Sequence, residues 1–128
     1  MSKKIAIKIM FGLLGAVLIY HFLIFFEFIP YDKVWAGRLK SVEEMKTFET
    51  FSILVNVFMI TVMIIKYQNL QNQNPNRIID ILIWVFALFF SLNTFGNLFS
   101  QNILELIFGT LFTLIAAILC VLIAKKKK

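Results

Sequence analysis

The stretch P-Y-D-K-V-W-A-G-R-L-K-S-V-E-E-M-K-T-F-E, Pro30 to Glu49, is the one long segment of mixed charge in a chain that is otherwise mostly hydrocarbon. It carries four of the seven acids of the chain, Asp32, Glu43, Glu44 and Glu49, with Lys33, Arg38, Lys40 and Lys46 among them. On both sides the apolar residues come in runs, and run length separates a membrane span from a buried core helix. The segment therefore reads as the connection between two spans. The functional question is whether it only connects them or also covers a site.

Working outward, the 128 residues are 60% hydrophobic, with a mean hydropathy of +0.86. Ordinary soluble domains are nearer half apolar, in shorter runs. The length allows a single unit, 1–128, and no separate soluble domain. A net charge of +6 raises the possibility of nucleic acid. The excess lies at the chain ends beside apolar runs, where anionic lipid headgroups are the nearer partner, so nucleic acid is rejected. Cys120 is the only cysteine. It excludes an internal disulfide, a CxxC redox pair and a thiolate metal cage.

The run from Ile5 to Ile29 follows Lys3 and Lys4, takes in Lys8 near its start, and is then broken only by His21 and Glu27. It is too long for a signal peptide, and no small-residue cleavage pattern follows it, so it reads as a retained span. Pro30 ends it. Tyr31 and Trp35 suit the headgroup level, and Ser41 with Glu44 makes a capping box that starts the second helix near Val42. The polar run Gln68 to Asn76 is a turn, with Asn74 as cap and Pro75 as first helical residue. Gly96 reads as the residue just past the third helix, and Asn102 with Glu105 as a second cap pattern. The spans fall at about 6–29, 48–66, 77–96 and 103–124. The fold class is all-α: an antiparallel bundle of four transmembrane helices. With both termini inside, nine lysines and arginines lie on that side and four outside, which predicts cytoplasmic termini.

Polar residues inside spans are functional candidates. Counted along helix axes from the outer ends, His21 and Asn56 lie roughly 12 Å deep, Asn93 about 8 Å and Glu105 about 5 Å. Glu27, Glu49 and Asn97 lie at the outer rim. The polar residues thus share the outer half, beneath the charged segment. At 100° per residue, Glu49, Ser52, Asn56, Met59 and Met63 form one stripe of the second helix, and Glu105, Gly109, Thr113, Ala116 and Cys120 one stripe of the fourth. His21 lies opposite Gly12, so one of those two faces of the first helix faces lipid unless both are contacted. Gly12 and Ala16 are expected to meet Gly109 and Thr113, since small residues let backbones approach. Each polar residue also has a structural account: caps, dipoles or interhelical hydrogen bonds. Their common depth is what those accounts leave over.

The order V-W-A-G-R-L-K, E-E-M-x-x-F-E and N-T-F-G-N resembles a group of small bacterial four-span membrane proteins with a W-x-G-R-L-K outer loop. In that group the loop reads W-G-G-R, and Ala36 here replaces the first glycine. The resemblance covers nearly the whole chain. It implies a multi-pass protein of the bacterial cytoplasmic membrane and carries no activity.

The leading functional reading is a non-enzymatic bundle acting through helix or lipid contacts, its partners the bilayer and another membrane protein or a second copy. The alternative is a binder of a small anionic or lipidic ligand in an outward-facing pocket, with Arg38 and Trp35 as a lid over His21, Glu27, Glu49, Asn56, Asn93, Asn97 and Glu105. Arg38 is expected to pair with at least one of Glu27, Glu49 and Glu105, because a guanidinium fork stays charged when desolvated; the alternative is a solvated loop arginine near lipid phosphate. A proton-coupled exporter resembling the small multidrug transporters ranks below both, since Glu27 is not mid-span. No catalytic residues, metal site or cofactor are read: no His–acid pair shows i, i+3 or i, i+4 ligand spacing.

Overall fold

The computed structural model describes residues 1–34, 39–100 and 103–125. Four helices form in the predicted order: α1 Lys3–Phe25, α2 Val42–Gln71, α3 Arg77–Asn97 and α4 Thr110–Ala124. A π-helical turn, Glu105–Gly109, leads directly into α4, and a 3-10 turn, Tyr31–Lys33, lies in the first connection. All four are long and apolar enough to cross a membrane, by length and composition, when the π turn is counted with α4.

Side-chain caps define the helix starts. Ser2 Oγ accepts from Ile5 N at 3.2 Å, and Ser41 Oγ accepts from Glu44 N at 3.1 Å, as the capping-box spacing requires. The third start corrects the sequence reading. The cap is Asn76 rather than Asn74, with its Oδ1 accepting from Ile78 N and Ile79 N. Pro75 therefore precedes the cap instead of opening the helix. An asparagine carboxamide reaches two of the orphan N–H groups of a first turn, which a proline one position earlier does nothing to satisfy.

The ends are corrected more. The first span stops at Phe25, not at residue 29. Phe28 N donates to Leu23 O at 2.9 Å and Glu27 N to Ile24 O at 3.0 Å, the paired bonds of a Schellman motif, with Glu27 left-handed at φ 65°. The second span runs past residue 66 to Gln71, because leucine and glutamine continue a helix at little cost. It stops where Gln73 turns left-handed at φ 52° and Asn74 N bonds Asn69 O. Gly96 lies inside α3 rather than beyond it, and the helix leaves through i→i−3 bonds to Phe95, Gly96 and Asn97 carbonyls.

α1 packs closely on α2, α3 on α4, and the pairs meet along α1–α4 and α2–α3. This is a four-cornered antiparallel bundle with both termini at one end, where Lys3 Nζ donates to Lys125 O. That end is the terminal end below; the other, with residues 26–41, is the loop end. The main apolar core fills the terminal half: Ala6, Ile7, Met10 and Leu14 from α1, Met59 and Met63 from α2, Ile83 and Phe86 from α3, Ala116, Cys120 and Ile123 from α4. A second small cluster, Ile24, Val34, Leu39 and Met45, closes the loop end. The first connection thus folds down onto the helix ends. Between the two apolar clusters lies the polar layer.

One packing expectation fails. Gly12 and Ala16 are exposed, and a Cβ added at Gly12 would meet nothing within 4 Å. Gly109 and Thr113 face α3 instead: Thr94 Oγ1 donates to Thr113 Oγ1 at 2.9 Å. The alternative posed by His21 and Gly12 resolves with His21 inward and Gly12 outward, because a polar group gains more from an interior partner than a glycine without a side chain does.

Glu27 holds a conformation that disfavours an L side chain by about 1 kcal/mol or more. Glu27→Gly is therefore expected to raise the thermal unfolding midpoint in detergent, by the equivalent of about 0.5–1 kcal/mol after the entropy of the unfolded glycine is allowed for. A lowered midpoint would show that the carboxylate makes a stabilising contact of its own.

Candidate functional site

The polar layer is built from residues that the bundle turns inward. His21 lies one turn before the end of α1, and Glu49 two turns into α2. His21 Nδ1 and Glu49 Oε2 are 2.5 Å apart. Glu49 has 0% exposure and the His21 side chain 17%, so the acid is the enclosed partner and the imidazole the one nearer the outside. A hydrogen-bonding partner offsets part of the cost of enclosing an acid so completely. Glu49 also engages a further group.

The Tyr20 ring packs at 59° against His21, with centroids 5.8 Å apart. The fourth helix also packs along α1. Glu105 opens the π turn and accepts from Ser100 Oγ at 3.2 Å. The cap at Asn102 lies outside the described residues. Asn97 sets the width of this corner: a Cβ on Gly109 would lie 2.9 Å from its carboxamide. Glycine at 109 is thus a close-approach residue, as a small-residue reading predicts, but toward α3. Thr113 Oγ1 then donates to Gly109 O at 2.8 Å. π turns of this kind recur at functional sites.

Asn56 lies halfway along α2, on the face that holds Glu49. It is 5% exposed, and its Oδ1 finds no hydrogen-bond partner among the described residues. Ser52, half-buried, lies between the two. Asn93 is half-buried one turn before Asn97.

The predicted residues therefore divide. His21 and Glu49 are in contact. Asn56 lies below them on one face, and Asn97 and Glu105 frame the α3–α4 corner of the same layer. Glu27 does not join: it is exposed at the left-handed position that ends α1, because the helix stops a turn early and directs that residue away from the bundle. Arg38 and Trp35 lie outside the described residues, and so does the expected pairing of Arg38.

The sequence reading passed over three features. Lys66 Nζ and Asp80 Oδ1 lie 2.5 Å apart at the terminal end, with Lys66 5% exposed. The short α2–α3 turn between antiparallel helices was the available signal, but Lys66 was counted only as a topology charge and Asp80 only as a helix-dipole residue. The Thr94–Thr113 bond had no signal beyond the register of α3 on α4. The π turn had none. Among the described residues, no three His, Cys, Asp or Glu side chains could together hold a metal ion.

No family model matches the chain, and neither a curated protein nor a solved structure matches it. The likeness to W-x-G-R-L-K proteins therefore stands on its residues alone.

Removing one partner of an enclosed pair strands the other. Glu49→Ala and His21→Ala are each expected to destabilise the fold by about 3 kcal/mol, and the double variant by clearly less than their sum, in thermal or denaturant unfolding in detergent. Strict additivity would mean that the two side chains are not coupled. At the other corner, Gly109→Leu is expected to lower stability by about 1–3 kcal/mol through overpacking, with Asn97→Ala recovering part of it. Recovery by a distant variant but not by Asn97→Ala would show that another contact sets the close approach.

Proposed function

We propose that this chain is a multi-pass protein of a bacterial cytoplasmic membrane, with both termini cytoplasmic, acting as a non-enzymatic bundle through contacts with lipid and other helices. The observation that carries this is the outside of the bundle. Only 22% to 33% of the most apolar stretch of each helix is buried, and Ile19, Phe51, Leu54, Leu88, Phe108 and Leu111 all stand open. A water-facing surface of that kind would be a continuous apolar patch far beyond what soluble proteins carry; against acyl chains it is the solvated surface. The charges support the orientation. The terminal end holds nine cations and one acid, the loop end four cations and six acids, the asymmetry expected with the basic end inside.

The polar contacts support structure rather than catalysis as their first role, since His21–Glu49, Lys66–Asp80 and Thr94–Thr113 each join two helices. The face of α1 that carries Gly12 and Ala16 supports the helix-contact part of the reading: both are exposed, and among the described residues nothing lies within 4 Å of a Cβ added at Gly12.

A second reading is a small-ligand site at the loop end, with Arg38 and Trp35 as its lid. It is favoured by the complete burial of Glu49 beneath a connection that packs down through Val34 and Leu39. The six acids at that end draw cationic or neutral ligands more readily than anions unless Arg38 offsets them.

Reporter fusions test the topology. A reporter that works only in the cytoplasm should be active after Lys128, and one that works only outside should be active at Lys40; the reverse pattern rejects the orientation. For helix contacts, Gly12→Leu should leave the unfolding midpoint unchanged or higher while reducing self-association or co-purification of a partner severalfold. Unchanged association would reject that face as the contact.

A further inference from the structure

We propose that Lys4 and Lys8 of α1, with Lys4 positioned by Tyr67 of α2, hold the phosphate of an anionic phospholipid in the leaflet that meets the terminal end. The inference rests on the membrane reading above and names the lipid class that the bundle contacts there.

The first argument is the charge left over. Asp80 is the one acid at the terminal end, and Lys66 takes it at 2.5 Å. Lys4 and Lys8 are both exposed, and no carboxylate pairs with either among the described residues. Lys4 Nζ lies 5.9 Å from the centre of the Tyr67 ring. That contact holds the ammonium at the seam between α1 and α2 and leaves its charge uncancelled. A cation fixed at the outside of a bundle, with no acid in reach, takes its counter-charge from the anionic headgroups around it.

The second argument is depth. Lys4 and Lys8 are spaced i, i+4, so they share a face of α1, with Lys8 about 6 Å further from the terminal end. Its neighbours Ala6, Ile7 and Met10 belong to the apolar core, so Lys8 lies at core level but on the outside. An ammonium among acyl chains turns its four-carbon stem toward the headgroups. The two ammonium groups then converge on one level. A phosphodiester with a net negative charge fits between two cations. A zwitterionic headgroup brings a cation of its own to the same place and fits less well.

The third argument is what continues the stripe. Counted from Lys4, positions i+7 and i+11 are Phe11 and Gly15. Phe11 packs against the core, and a Cβ added at Gly15 would meet nothing within 4 Å. Cations come first and apolar residues after, which is the order of headgroup and acyl chain in a phospholipid. The stripe lies about 90° round α1 from the face of Gly12 and Ala16, so it is a separate surface from the one assigned to helix contacts.

The test is native mass spectrometry of the full chain released from a non-ionic detergent. The probes are phosphatidylglycerol and phosphatidylcholine with the same acyl chains, at equal concentration. Phosphatidylglycerol should be retained about fivefold more than phosphatidylcholine. Lys4→Gln with Lys8→Gln should bring the two within about twofold. Arg77→Gln with Lys125→Gln removes the same charge from the same end, also at exposed positions, and should leave most of the preference in place. Tyr67→Leu releases Lys4 without removing a charge and should lower the preference about twofold or more. An unchanged preference in the Lys4 and Lys8 variant, or an equal loss in both charge variants, would overturn the site. Glycerol 1-phosphate supplies the phosphate ester without acyl chains; retention equal to that of phosphatidylglycerol would make this a free-phosphate site and overturn the lipid proposal. Flotation with vesicles of phosphatidylcholine alone separates the two readings. A chain that floats but shows no headgroup preference loses the lipid site alone. A chain that does not float loses the membrane reading and the lipid site with it.

Discussion

An acid with 0% exposure inside a bundle of hydrocarbon helices must have a partner, and Glu49 has His21. That requirement determines more than one contact. Apolar packing between helices whose outer surfaces are equally apolar is nearly indifferent to sliding, since a leucine against a leucine and a leucine against lipid differ little. A directional bond between fixed positions is not indifferent. His21–Glu49 sets α1 against α2, Lys66–Asp80 sets α2 against α3, and Thr94–Thr113 sets α3 against α4. Lys3 on Lys125 O closes the ring between first and last. Each consecutive pair of helices thus has a polar lock. The methionines, alanines and isoleucines of the core fill the space that the locks define.

The locks are distributed unequally along the bundle axis. At the terminal end the Lys66–Asp80 lock lies near the rim, where the half-buried Asp80 keeps contact with the outside. At the other end Glu49 of the His21–Glu49 lock has no exposure, and His21 keeps 17%. The same chemistry therefore has different consequences. A pair at the rim can exchange with water freely and works as an anchor. An enclosed pair is held in place by the packing around it and works as a fixed lock. The loop end is where this chain concentrates enclosed polar atoms, a π turn and a close-approach glycine.

Much of this was legible in the sequence. Four runs of sufficient length gave four helices, and Ser41 with Glu44 placed the start of α2 to the residue. The stripe Glu49, Ser52, Asn56, Met59, Met63 is the inward face, with four of its five members buried. A 100° repeat reports faces well because burial acts on every turn. Helix ends were read poorly, and for one reason. Both α1 and α2 terminate with a non-glycine residue in the left-handed conformation, Glu27 and Gln73, so the glycine that marks such ends was missing, and proline marked only the last possible position. Partners across helices were legible only in depth. Sequence placed His21 and Glu49 in the outer half, but their contact depends on how α1 is rotated, and the small residues at Gly12 and Ala16 argued for the opposite rotation. The polar gain won over the packing gain.

The length of α2 explains why the enclosed site lies where it does. Its 30 residues span about 45 Å, against a hydrocarbon core of about 30 Å. α1 has 23 residues and ends at Phe25, so the first turns of α2 rise past the end of its neighbour. Glu49 lies in the zone where α2 still has α1 beside it but little bundle above it. Without a cover that position would be open to water, and an acid there would need no partner. The cover is the first connection. Val34 and Leu39 pack on Ile24 and Met45, and Lys46 lies 5.3 Å from the Phe25 ring. The mixed-charge segment therefore does more than join two helices. Val34 and Leu39 turn down over the uneven helix ends, Lys40, Glu43 and Lys46 stay outside, and Glu49 is enclosed beside the step in helix length.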